Sequence, residues 1–176
     1  METQLTIKHL AAYLPYGLKA VNEIRNFTVE IKGLQTDNDV IHNLGKSPIK
    51  FIKPILRPLS DLTKEIEVNG EKFVPMMELF MLIHDYHLVV INNGKLDYSD
   101  NNITYQIDDE YNHCITFKKE ETTLSYDKYE QRFNITQGWN DITFNYIEMH
   151  NKLLEWHFNV FNLPENLFVD INTLEK

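Results

Sequence analysis

The segment from Asp141 to Phe161, "DITFNYIEMHNKLLEWHFNVF", constrains the fold more than any other part of the chain. Asn145, Glu148, Lys152, Glu155 and Asn159 recur at helical spacing, and nearly everything between them is apolar or aromatic. A helix with one narrow polar stripe has to be covered over most of its surface. Glu148 and Lys152 stand four apart on that stripe, the spacing of a favourable pair. Pro164 ends the element. The spacing predicts a long helix here, and the rest of the chain must supply what buries it.

Strand patterns supply it. "RNFTVEIKG" alternates, with Phe27, Val29 and Ile31 on one face and Thr28, Glu30 and Lys32 on the other. That is a half-buried strand. "HLVVI", "KLDYS", "NITYQI", "HCITFK" and "TLSY" also read as strands, so residues 86 to about 127 form an antiparallel meander. Asn69-Gly70 and Asn93-Gly94 are tight-turn signals. "LTIKHLAAYLPYG" reads as a short helix stopped by Pro15 and Gly17, and Pro75 can open another through "MMELFMLIHD". "LQTDNDVIHNLGKS" reads as a loop, and "LFVDI" as a final strand or docked tail. The expected fold is therefore α+β. One domain over residues 1–176 packs an antiparallel sheet against the long C-terminal helix, with one or two shorter helices.

The length of 176 residues suffices for such a domain and its core. No apolar run approaches a bilayer span, since "ELFMLIHDYHLVVI" is broken by His84, Asp85 and His87. No basic stretch followed by an apolar one opens the chain, so no secretion signal is read. A single cysteine, Cys114, allows no intrachain disulfide and fits a reducing cytoplasm. The net charge of −9 disfavours general nucleic-acid binding, which needs a basic surface. That charge is uneven. Residues 1–59 hold eight Lys and Arg against five Asp and Glu; the remainder holds nine against twenty-one.

The candidate chemistries each have a plainer reading. His84 and His87, with His113 and Cys114, are the sharpest metal candidates, yet they lack a ligand pattern such as HExxH or CxxC. Glu23, Glu30 and Lys32 resemble the acidic-x-Lys arrangement of metal-dependent nucleases. Neighbours on the solvent face of a strand explain Glu30 and Lys32 as well. Asp108, Asp109 and Glu110 sit in one turn without the spacing of a calcium loop, which makes them a solvated hairpin tip. No GxSxG, P-loop or GxGxxG is present. No catalytic residue, cofactor or metal is expected. The strip "FIKPILRPLSDL" is the remaining exposed candidate. Lys53 and Arg57 each precede a proline, so the strip is either an extended recognition segment or a stiff crossover at a sheet edge.

Three blocks of sequence carry a resemblance: "LTIKHLAAYLPYGLKA", "KPILRPLSDLTKEIEVNGEKFVPMMEL" and "NKLLEWHFNVFNLPENLFVDINTL". They resemble a family of small uncharacterised prophage-type proteins, which implies a phage-related protein working in the host cytoplasm and no particular chemistry. The expectation is a non-enzymatic protein-binding protein. Small phage proteins of this kind resemble counter-defence inhibitors, including anti-CRISPR proteins. Its partner would be a host protein such as a CRISPR effector or another nucleic-acid-binding protein with a basic surface. Lys53, Arg57, Asp108, Asp109 and Glu110 are the candidate contacts, with no membrane and no direct nucleic-acid partner. A small metal-dependent nuclease and a phage assembly component are the alternatives.

Overall fold

In a computed structural model, residues 4–82, 91–92, 95–96, 103–107, 114–119, 122–127, 129–130, 132–137 and 146–174 are described. In chain order the first elements are α1 (Ile7–Ala11), β1 (Lys19–Asn22), β2 (Phe27–Leu34), β3 (Asp39–His42), β4 (Gly45–Pro48) and β5 (Ile52–Leu56). β6 (Ile66–Val68), β7 (Glu71–Phe73), α2 (Pro75–Met81), β8 (Ile91–Asn92) and β9 (Lys95–Leu96) follow. The last are β10 (Ile103–Ile107), β11 (Cys114–Lys119), β12 (Thr122–Asp127), β13 (Arg132–Gln137), α3 (Tyr146–Glu155) and β14 (Val169–Asp170). The chain divides into two compact units, Met1–Leu59 with Leu153–Lys176 and Ser60–Lys152.

The first unit holds a six-stranded sheet in the order β14-β5-β1-β2-β3-β4. β2 is the half-buried strand its alternation predicts, with Val29 and Ile31 buried. The stretch expected to be a loop, 34–47, instead contains most of the β3–β4 hairpin. Its strands are four residues each, too short for alternation to register.

The strip 51–62 begins as β5, an interior strand and not an edge crossover, paired with β1 on one side and β14 on the other. Its register shows why Pro54 is tolerated. Glu23 donates its N–H to the Phe51 carbonyl at 2.9 Å, which makes that opposed pair a bonded one. Bonded pairs alternate, so Pro54 opposite Ala20 turns its nitrogen away from β1, to the side where β14 pairs only from Ile55 onward.

Hydrogen bonds reveal how far this sheet curls. Asn22 lies opposite Phe27, whereas Ser47 lies opposite Val40, which is itself opposite Leu34. Along a straight β2 those rungs would be about 23 Å apart, with β1 and β4 three strand spacings apart as well. Yet Asn22 Nδ2 and Ser47 Oγ are 2.8 Å apart. The sheet therefore curls so that β4 returns toward β1, and the register shift between Ile31 and Gly33 supplies the extra twist.

The second unit holds the β6–β7 hairpin, the β8–β9 pair and a four-stranded antiparallel sheet in the order β10-β11-β12-β13. The turn between β6 and β7 is Asn69-Gly70, both at positive φ, as that dipeptide predicts. Asn93-Gly94 lies outside the described residues. The expected meander is real but displaced: its four strands run from Ile103 to Gln137, so one strand lies beyond the predicted end.

The predicted fold class is overturned. The chain is mostly β, with three α-helices of five, seven and ten residues among the described residues and no long C-terminal helix. α3 stops at Glu155, closed by two nested bonds. His157 donates its N–H to the Leu154 carbonyl at 3.0 Å, and Phe158 to that of Leu153 at 2.9 Å. His157 takes the left-handed conformation at φ +59°. This is a Schellman ending with histidine where glycine is usual. Beyond it Phe158 forms a parallel bridge with Arg57, and the chain then turns through Asn159–Asn162. Asn159 then ties its own loop with side-chain bonds to the Leu163 N–H and carbonyl, both at 2.9 Å. Pattern misled because Trp156, Phe158 and Val160, at and beyond the helix end, are all buried, as they would be on a covered helix.

Candidate functional site

The curl of the first unit encloses one polar cluster, built from three strands. Asn22 ends β1, His42 ends β3 and Ser47 sits in β4; they are 2%, 3% and 5% exposed. Ser47 Oγ lies 2.9 Å from His42 Nε2, the separation of a nucleophile and its base. Direction decides whether it works as one. The backbone N–H of Leu44 donates to His42 Nδ1 at 3.2 Å, so in the neutral ring the proton is on Nε2. Nε2 therefore donates to Ser47 and cannot take its proton. Asn22 Nδ2 donates to the same oxygen. A hydroxyl that accepts two bonds has its lone pairs occupied and is a poor nucleophile.

The arrangement instead anchors two turns. Asn22 Oδ1 accepts the Arg25 N–H at 3.1 Å, and His42 accepts that of Leu44. A continuous chain of hydrogen bonds thus links the β1–β2 turn to the β3–β4 turn through Ser47. No residue of this cluster was singled out from sequence. Spacing carries no signal for it, because Asn22 and Ser47 meet only through the curl.

The strip's two cations have different settings. Lys53 is half-buried and pairs with Glu23 at 2.6 Å. Arg57 is 6% exposed, and its backbone joins the C-terminal tail: its N–H donates to the His157 carbonyl at 2.7 Å, and its carbonyl accepts from Asn159 at 2.8 Å. Beside it, burial pushes the His157 imidazole below its ordinary 6.5. The cations Arg57 and Lys19 push the same way, against a backbone hydrogen bond with Tyr16.

The nuclease arrangement does not assemble. Glu30 is bonded to Lys32 on the exposed face of β2 and lies opposite Lys19. Glu23 is four residues farther along that side, about 13 Å away, and is bonded to Lys53. Among the described residues no group of three or more His, Cys, Asp or Glu is placed to hold a metal ion. Asp108, Asp109, Glu110, His84, His87 and His113 lie outside the described residues. Of Cys114 only the backbone is described, at the start of β11.

In the second unit, aromatic rings run from Tyr126 through Phe133 and Tyr146 to His150, with centroids 4.9, 6.1 and 6.1 Å apart. Burial raises the Tyr126 hydroxyl far above its ordinary value, with Tyr146 and Asp127 adding to it. Burial lowers His150. Burial is the largest cause of both shifts.

Charge separates the units. Ser60–Lys152 holds eight Lys and Arg against seventeen Asp and Glu, so it carries the whole net −9. The other unit balances nine against nine. Glu65, Glu67, Glu71, Glu130 and Glu148 are exposed in the acidic unit. Among the described residues no helix is long and apolar enough to cross a membrane. No protein-family model matches the chain, no curated protein matches it, and no solved structure matches it.

Proposed function

We propose that this chain is a non-enzymatic binding protein whose acidic unit docks on a protein with a basic, nucleic-acid-handling surface. The observation that carries the proposal is the confinement of all nine net negative charges to residues 60–152, while the other unit has zero net charge. Such a field speeds encounter with a positive surface and selects for it. The Ser47–His42 pair fits this reading as well, since its protons are arranged to hold turns. With the resemblance to prophage-type proteins, the partner class is a host defence effector, and the role is that of a counter-defence inhibitor of anti-CRISPR type acting in the host cytoplasm.

Affinity capture from host lysate with quantitative mass spectrometry tests this. The expected result is one stoichiometric partner with a basic surface. Turnover of nucleic acid by the purified chain would favour an enzyme instead.

A further inference from the structure

Sheet edges expose backbone donors and acceptors, and folded proteins usually blunt them. Both outer strands of the six-stranded sheet are blunted. β14 has two residues, and β4 has four, including Gly45, Lys46 and Pro48. β13 has none of these devices. It is the outer strand of the four-stranded sheet, six residues long, with the sequence Arg-Phe-Asn-Ile-Thr-Gln. It contains no proline, glycine or lysine, and its register with β12 is unbroken over all six pairs. Among the described residues no strand pairs with its outer side.

We propose that β13 pairs antiparallel with β13 of a second copy of this chain, joining two four-stranded sheets into one of eight strands. The occupant follows from the strand's own faces. Phe133 is buried and Ile135 half-buried, whereas Arg132, Asn134 and Thr136 are exposed. A two-fold axis at Asn134 sets Phe133 opposite Ile135 of the second copy, which continues the apolar face. Arg132 then meets Thr136, and Asn134 meets itself. No like charges are opposed, and no acidic residue lies in the strand, although its unit contains seventeen. The pairing is thus self-complementary in face and charge. It does not depend on the proposed function, and its salt response is opposite. Two acidic units repel, so the dimer tightens as salt rises, whereas docking on a basic partner weakens.

Sedimentation from micromolar to near-millimolar protein, at low and high salt, tests the proposal, with hydrogen exchange at both ends of the range. The expected result is a concentration-dependent dimer, tighter at high salt, in which β13 amides exchange about tenfold or more slowly than in dilute protein. Asn134→Lys sets a lysine against its own copy, and is expected to weaken the dimer about tenfold or more without lowering the melting temperature. A chain that stays monomeric throughout overturns the proposal. So does a dimer whose β13 amides exchange as fast as in dilute protein.

Discussion

Ser47 shows how little a short distance says about chemistry. It stands 2.9 Å from an imidazole nitrogen, and the backbone N–H of Leu44 fixes that nitrogen as a donor. Removing the hydroxyl leaves two buried donors, Asn22 Nδ2 and His42 Nε2–H, with no acceptor. Ser47→Ala is therefore expected to cost about 1–3 kcal/mol in chemical denaturation. A neutral result would mean the cluster does not hold the curl. His157 is a second telling residue. Its depressed pKa means the folded chain resists a proton that the unfolded chain accepts near 6.5. The unfolded state then binds more protons, so stability falls as pH drops through that value and below. Asn tolerates the left-handed conformation that His157 adopts. His157→Asn is expected to fold normally and to lose less stability between neutral and mildly acid pH. Equal losses in both proteins, measured by thermal melts across pH, would contradict the assignment.

The C-terminal segment is buried as its apolar pattern demands, although it is not one long helix. Leu153 and Phe158 are fully buried, Leu153 as the helix closes and Phe158 as it bridges to Arg57. Phe158→Ala is expected to cost about 3–5 kcal/mol from lost burial and a cavity. Lys152→Ala should stay within about 0.5 kcal/mol. Denaturation midpoints that ranked them the other way would remove the tail from the core. Burial here was legible in the sequence, but element type was not, because a covered helix and an inward-facing tail both demand apolar residues. The helix end depends on His157 adopting a glycine-like conformation, for which the sequence offers no turn signal. β2 and the Asn69-Gly70 turn were legible because alternation and turn chemistry are local. The β3–β4 hairpin was not, since four-residue strands are too short to show a period. The Asn22–Ser47–His42 cluster was invisible for another reason: it exists only once the register shift in β2 lets the sheet curl.

At the scale of the whole molecule the dominant fact is electrostatic. One unit is neutral and the other carries the entire charge of −9. This division emerges only when the C-terminal residues 153–176 join the first unit, because sequence order alone shows a mildly basic first third and an acidic remainder. If this field guides the chain onto a basic partner, as proposed, association kinetics with the captured partner will show it. The rate constant should be measured at about 50 mM and about 500 mM salt, where the screening length falls from well above to well below 10 Å. The comparison pairs the native chain with a Glu65→Gln, Glu67→Gln, Glu71→Gln variant. These side chains are exposed, so the fold should be unaffected. The predicted result is association that slows at least about tenfold with salt, and a variant that is slower at low salt and less sensitive to it. A rate unchanged by salt, with the variant equal to the native chain, would rule out electrostatic guidance.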